Sequence, residues 1–203
     1  MLRTIMTITL LALLASCAGE PPQGRQENAA EELDPQLVFW DELQGLCGRA
    51  FQGVVVASEP PDPSLAEARL VVHAHYCDVA EVRMGFHVGD DRSRTWVITP
   101  TAVGLRLRHR HRHEDGSEDE LTGYGGETYG VGTETAQEFP ADAATAAMAP
   151  EAAGNVWTLE LHPDSLLAYD LRREGSDRRF RAEFDLTREV EPPPPPWGAS
   201  RSP

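Results

Sequence analysis

The sequence contains no lysine, because all 18 of its basic residues are arginine. Schiff-base catalysis and a lysine general base are therefore excluded. The sequence also lacks the nucleophile elbow of hydrolases, and its glycine-rich stretch lacks the spacing of a phosphate-binding loop. A net charge of −15 argues against nucleic acid as a partner, since binding that polymer depends on neutralising its phosphates. These absences favour a protein that is not an enzyme.

The N-terminal apolar run is too short to span a membrane. Ile5–Leu14 follows a single positive residue, Arg3, and a membrane-spanning helix needs roughly 20 apolar residues. This pattern is typical of a targeting segment. The residues that follow, Leu14–Cys17, resemble the lipobox of bacterial lipoproteins; the alternative is an ordinary secretory signal with a chance cysteine.

The lipobox resemblance implies a location. Residues 1–16 would be a lipoprotein signal peptide, and Cys17 would become the lipidated N-terminus. Two or three acyl chains hold a protein on a membrane where one does not. The membrane would then be a partner through the lipid on Cys17, and the protein would face the periplasm or the cell exterior.

Composition divides the rest of the chain. Residues 17–36 are polar and acidic and read as a flexible tether, and residues 37–190 are long enough for one domain with a core. Residues 191–203 form a proline-rich tail that favours polyproline II. The tail is either disordered or packs back onto the domain through Trp197.

The two remaining cysteines predict a disulfide. Cys47 and Cys77 are an even pair, and the signal places them in an oxidising compartment, where such pairs are usually bonded. The alternative is two free thiols.

Period-two alternation of apolar residues predicts an all-β fold of about eight antiparallel strands. The segments are AFQGVVVAS, ARLVVHAHYCDVAEVRMGFHVGDD (two strands), RTWVITP, VGLRLRHRHRH, NVWTLELHP, LLAYDLRRE and RRFRAEFDLTREV. Closing such a meander into a barrel removes its edges; a β-sandwich is the alternative. Short helices are expected at 34–45 and within 142–154.

The layout carries two resemblances. A short helix before the first strand resembles calycins (lipocalins, fatty-acid-binding proteins and relatives), although the lipocalin Gly-x-Trp signature is absent. The stretches DDRSRTWVIT, HRHEDGSEDELTGYGG and EFPAD, with the closing WG, resemble uncharacterised bacterial secreted proteins and lipoproteins. The first resemblance implies a barrel, and the second implies no activity.

The stretch Gly104–Glu120, GLRLRHRHRHEDGSEDE, alternates basic residue types. On a strand, His109, His111 and His113 share one face with Leu105 and Leu107, and the arginines share the other. The leucines indicate that the histidine face begins in the core and emerges at a barrel end. Asp115-Gly116 predicts a two-residue hairpin turn. That turn would place Arg112 opposite Asp119, and His113 and His111 opposite Glu118 and Glu120.

Three histidines at this spacing raise the possibility of a metal site. Alternate strand residues lie about 6.6 Å apart at the backbone, so two imidazoles can converge on one divalent transition metal. The candidate ligands are His109, His111, His113, Glu118 and Glu120. The alternative is a ladder of histidines paired with carboxylates.

A second candidate site is an anion-binding loop that contains Arg92 and Arg94. Its structural alternative is the charged tip of a hairpin.

Three functions follow from these observations. The first is a non-enzymatic, lipid-anchored barrel that binds a small hydrophobic ligand. The second is a metal-binding protein or metal-dependent enzyme that uses the histidine strand. The third is a structural or interaction lipoprotein with a solid core. An internal apolar cavity of about 300 Å³ or more would distinguish the first from the third.

Overall fold

The computed structural model describes residues 33–199. The predicted signal peptide, Cys17 and most of the predicted tether lie outside the described residues. Within 33–199, no helix has the length and apolar character needed to cross a bilayer.

The described chain contains ten strands and three short α-helices. The helices are α1 (Pro35–Gln44), α2 (Pro63–Ala66) and α3 (Ala143–Met148), the last followed by a 3-10 turn at Pro150–Ala152. The strands are β1 (Ala50–Glu59), β2 (Leu70–Cys77), β3 (Val82–Val88), β4 (Asp91–Thr101), β5 (Gly104–His111), β6 (Tyr124–Glu127), β7 (Ala136–Pro140), β8 (Asn155–His162), β9 (Leu166–Arg173) and β10 (Arg179–Glu189). All eight predicted strands are present, and β6 and β7 are additional.

The strands form one antiparallel sheet that is nearly closed into a barrel. Their order in the sheet is β6-β5-β4-β3-β2-β1-β10-β9-β8-β7. Strand β1, the first in the chain, therefore pairs with β10, the last in the chain. The remaining gap, between β6 and β7, is narrowed by a bridge between Gly126 and Ala141 and by a hydrogen bond from the Asp142 amide to the Gly125 carbonyl oxygen at 3.2 Å. The predicted all-β barrel is confirmed.

Glycine makes this near-closure possible. A Cβ atom on Gly125 would lie 2.0 Å from the Leu107 carbonyl oxygen, and one on Gly126 would lie 1.9 Å from that of Pro140. Only residues without a side chain allow backbones to approach this closely. The two glycines therefore let β6 lie between β5 and β7.

The core is built from the alternate residues that face inward. On β3, Val82, Met84 and Phe86 are buried, as their shared parity predicts. The largest fully buried rings from the second half of the chain are Trp157, Phe139 and Phe184. Burying one large apolar side chain contributes about 1.5–3 kcal/mol, so these rows dominate the stability of the barrel.

Helix α1 closes one end of the barrel, as the calycin-like layout predicts. Asp34 caps it by accepting a hydrogen bond from the Gln36 amide at 2.9 Å. Its buried apolar residues are Phe39, Trp40 and Leu43. Gln36 donates from Nε2 to Thr128 Oγ1 at 2.9 Å and to the Gly130 carbonyl oxygen at 3.1 Å. These contacts place the helix where β6 ends and β7 begins.

The predicted disulfide is present between Cys47 and Cys77. It joins the turn after α1 to the end of β2, and its partners are 30 residues apart. The cross-link therefore ties the closing helix to the barrel wall.

The residues Pro192–Trp197, called the strap below, pack against the outside of the barrel. The Trp197 amide donates to the Arg92 carbonyl oxygen at 3.0 Å, and Arg92 Nη1 donates to the Pro195 carbonyl oxygen at 3.1 Å. Pro196 is buried. Of the two alternatives for the tail, disorder and packing against the domain, the structure shows packing for Pro192–Trp197.

Candidate functional site

The end of the barrel opposite α1 contains a cavity of about 520 Å³. It lies where β1, β3, β5 and β9 end and where β4, β6 and β10 begin, and the segment that includes α2 borders it. Its aromatic lining residues are Phe86, Trp96, Tyr124, Tyr169 and Phe180. The volume lies within the range of about 300–1,000 Å³ that is typical of small-molecule sites.

One wall of the cavity is a stack of aromatic rings. The Trp96 ring lies between Phe86, with centroids 5.2 Å apart, and Tyr169, with centroids 4.4 Å apart. The rings are close to parallel, inclined by 18° and 11°. Phe180 meets Tyr169 edge-on at 6.1 Å. This wall is apolar, and it suits an apolar part of a ligand.

The facing wall combines rings with hydrogen-bonding groups. His109 stacks on Tyr124 with centroids 4.7 Å apart. Tyr124 Oη lies 3.1 Å from His111 Nε2, and His109 Nε2 lies 2.8 Å from Tyr169 Oη. The last contact joins this wall to the aromatic stack across the floor of the cavity.

The protonation of His109 follows from its surroundings. It is 3% exposed, and burial lowers its pKa to about 3, so it is neutral near pH 7. Its Nδ1 atom faces the Tyr124 carbonyl oxygen at 3.3 Å, which can only accept a hydrogen bond. Nδ1 therefore carries the hydrogen, and Nε2 accepts from the Tyr169 hydroxyl.

The other polar rings of the cavity are also uncharged near neutral pH. Burial, then the guanidinium of Arg94, lowers the pKa of His111. Burial raises the pKa of Tyr124 to about 12. The facing wall therefore offers neutral hydrogen-bond donors and acceptors to a ligand.

Charges of both signs are confined to the rim of the cavity. Arg94 pairs with Asp91 at 2.5 Å, while Arg178, Arg179 and Glu59 also border the opening. The rim therefore has no strong excess of either sign.

The two arginines of the predicted anion-binding loop make separate contacts. Arg94 is engaged by Asp91 at the cavity rim, whereas Arg92 donates to the strap. The structure gives them no shared site, and anion binding stays a prediction.

The predicted two faces of β5 are confirmed. His109 is buried, His111 is half-buried and His113 is exposed, so the histidine face does emerge from the core at a barrel end. On the other face, Arg106 pairs with Glu127 and Arg108 with Asp142, both at 2.5 Å.

The predicted register of the hairpin after β5 is wrong by one residue. Arg112 is opposite Glu118 and pairs with it at 3.0 Å, where Asp119 was expected. The Asp119 amide donates instead to the His111 carbonyl oxygen at 3.1 Å. The loop is longer by one residue because Gly116, at φ 85°, adopts the left-handed conformation at its third position.

This register separates the predicted metal ligands. Glu118 and Glu120 are exposed, and the carboxylates that act on the His111 ring are those of Asp119 and Asp91. Within residues 33–199, no three histidine, cysteine, aspartate or glutamate side chains are grouped so that they could hold a metal ion. Metal binding by His109, His111 or His113 remains a prediction.

The aromatic lining was not predicted as a site. Trp96 and Phe86 have the parity of core residues, so alternation alone assigns them to packing. Tyr124 lies in a glycine-rich stretch that predicts a loop. Only the curvature of the closed sheet brings these rings together with Tyr169 and Phe180.

Comparisons with protein-family models, curated proteins and solved structures find no match to this chain. The geometry of the cavity is therefore the basis for a functional inference.

Proposed function

We propose that this protein is a lipid-anchored binding protein of the bacterial cell envelope, and that its cavity holds a small, ring-containing ligand. The observation that carries the proposal is the cavity of about 520 Å³ at the open end of the barrel. Its stacked aromatic wall matches an apolar part of the ligand, and its neutral polar wall matches hydrogen-bonding groups on one edge of the ligand. A purely structural barrel does not require such a space.

A binding role is favoured over catalysis because of the chemistry of the polar groups. His109 is held neutral and engaged on both ring nitrogens. Its partners within residues 33–199 are the Tyr124 carbonyl oxygen and the Tyr169 hydroxyl. The groups in the cavity therefore orient a ligand and offer no activated base beside it.

Ligand binding is tested with 1-anilinonaphthalene-8-sulfonate, an aromatic fluorescent probe. The full chain carries Cys17→Ser so that no acyl chain competes for the cavity. Phe180→Ala removes a half-buried ring from the wall, and its probe affinity is expected to fall about tenfold or more, as for a central contact residue. Val79→Ala is the matched control, because Val79 is 90% exposed and lies outside the cavity. Equal affinities in the two variants would overturn the proposal.

Lipid anchoring is tested separately by mass spectrometry of the mature wild-type N-terminus. A diacylglyceryl group on an N-terminal Cys17 is expected. A mature chain that begins elsewhere, or an unmodified Cys17, would refute the anchor and leave the cavity proposal standing.

A further inference from the structure

Three histidines lie together on the outside of the barrel, away from the cavity. His73 and His75 are on β2, and His87 is on the neighbouring strand β3. His73 is 9% exposed and His87 is 1% exposed. Four ring nitrogens of the three side chains are buried without a hydrogen-bond partner among residues 33–199: His73 Nδ1, His75 Nε2, and both nitrogens of His87. Buried polar atoms are usually partnered, so this cluster requires an explanation.

The strap covers these histidines. It starts after Val190, whose amide donates to the Ala50 carbonyl oxygen at 2.9 Å. Ala50 pairs with His73, and His73 pairs with Gly85 on the next strand. A Cβ atom on Gly85 would lie 2.9 Å from Pro196 Cγ and 2.6 Å from His87 Nε2. The strap therefore crosses the barrel from Ala50 to Gly85, directly over the histidines.

The surroundings favour the neutral form of all three rings. The strap itself, PPPPPW, carries no charge. Burial is the largest cause that lowers the pKa values of the three histidines, to about 4 for both His75 and His87.

Neighbouring charges add to the effect of burial. A charge on one histidine of the cluster lowers the pKa of its neighbours. Arg83 on β3 also lowers the pKa of His75, and Arg92 on β4 also lowers the pKa of His87. Arg83 is itself paired with Glu81. Asp91 is the one carboxylate that opposes this effect at His87.

We propose that the strap is a pH-operated latch, which stays docked while His73, His75 and His87 are neutral and leaves the barrel when acidification protonates them. A protonated imidazole needs two hydrogen-bond acceptors or water. Among the described residues, His73 Nδ1, His75 Nε2 and both His87 nitrogens have no hydrogen-bond partner, and the proline rings above them exclude solvent. Protonated histidines can therefore be hydrated when the strap is released, but they lack both water and acceptors when the strap covers them.

The direction of the pH dependence follows from the lowered pKa values. The docked state binds fewer protons than the released state, so docking is strongest above the ordinary histidine pKa of about 6.5. As the pH falls from about 6.5 toward 4, each histidine that must stay neutral lowers the docked-to-released ratio by up to about tenfold per pH unit.

Release would also reach the cavity. Trp197, the last residue of the strap, donates its amide to the Arg92 carbonyl oxygen, and Arg92 is adjacent to the rim residue Asp91. The following residue, Gly198, contacts Gly116 in the hairpin after β5, and that hairpin lies between His111 and Tyr124. This consequence rests on the proposed binding function, whereas the latch itself does not.

The latch is tested by nuclear magnetic resonance titration of the full chain carrying Cys17→Ser. In the parent chain, the Trp197 indole signal and the ring signals of His75 and His87 are expected to change together on acidification. In a chain that ends at Val190, the pKa values of His75 and His87 are expected to rise by about one unit or more, a tenfold gain in proton affinity.

Two substitutions keep the test independent of truncation. Trp197→Ala should raise the same two pKa values, and Trp197→Phe, which keeps a ring, should leave them as in the parent chain. The ring signal of His162, an exposed residue at the end of β8, should have the same position in all four chains at neutral pH. Unchanged pKa values in the truncated and Trp197→Ala chains would overturn the latch. No ligand enters these measurements, so the result is separate from that of the probe-binding test.

Discussion

The buried histidine of the cavity floor predicts a specific loss of stability in acid. Burial lowers the pKa of His109 to about 3 from an ordinary value of 6.5. A base whose pKa is lower in the folded state than in the unfolded state contributes its full stabilisation at pH values above the unfolded-state pKa. For His109 this contribution is lost as the pH falls from 6.5 toward 3. At about pH 4.5, two units below the unfolded value, the loss is about 3 kcal/mol, because one unit corresponds to about 1.4 kcal/mol.

The variant His109→Phe isolates this contribution. It keeps a ring stacked on Tyr124 and removes the titrating group. At neutral pH it should be less stable than the wild type by about 1–3 kcal/mol, since the Tyr169 hydroxyl loses its acceptor. In acid this deficit should disappear, because only the wild type continues to lose the stability that depends on a neutral His109.

The measurement is urea unfolding of wild type and variants at several pH values between about 7.5 and 4.5, followed by subtraction of the free energies of unfolding. Contributions from the other histidines are common to all chains and cancel. Tyr169→Phe is the control, because it breaks the same hydrogen bond but keeps His109. Its deficit should persist in acid. A His109→Phe deficit that does not change with pH would refute a desolvated, neutral His109.

Three further outcomes are expected. Replacing Cys47 and Cys77 by serine should lower the free energy of unfolding by about 3–4 kcal/mol, the chain-entropy value for a loop of 30 residues; a loss below about 1 kcal/mol in urea unfolding would contradict this. Arg181→Met should cost about 1–3 kcal/mol at pH 7, because it removes a two-point contact with Glu160 at 2.8 and 2.9 Å. That cost should shrink as the pH falls below 4.5, since Arg181 lowers the pKa of Glu160. Thermal unfolding of wild type and variant at pH 7 and at a pH below 4.5 measures the change. If the histidine strand binds a transition metal, tag-free protein should retain metal that His111→Ala loses; no metal in either chain would end that hypothesis.

The predicted strands were found wherever side chains alternate between core and solvent. Leu105 and Leu107 on β5, for example, have the expected inward parity. Strands β6 and β7 were missed; in β6 the two central residues are Gly125 and Gly126, which give an alternation pattern no side chain on either face. These glycines indicate a loop by composition, but they serve close backbone packing. The sequence carries no local signal that separates these two uses of glycine.

The hairpin after β5 shows a second limit of sequence reasoning. Asp115-Gly116 fits both a two-residue turn and a three-residue loop with glycine in the left-handed position. The two differ by one residue in register, and that residue decides whether Asp119 or Glu120 lies beside His111. Parity within a strand is therefore predictable from the sequence, whereas contacts across an irregular turn depend on the backbone.

The two ends of the barrel solve the same problem in different ways. At one end, α1 covers the core with Phe39, Trp40 and Leu43, and the disulfide holds the helix in place. At the other end the bordering helix α2 buries no residue, so the floor of the cavity must be stable while the space above it is open. His109 and Tyr169 meet this requirement because each satisfies the other's buried polar atom and each ring is stacked on a neighbouring ring. A floor of apolar side chains alone would gain stability by collapsing, whereas hydrogen-bonded rings keep their positions and leave the space above them free for a ligand.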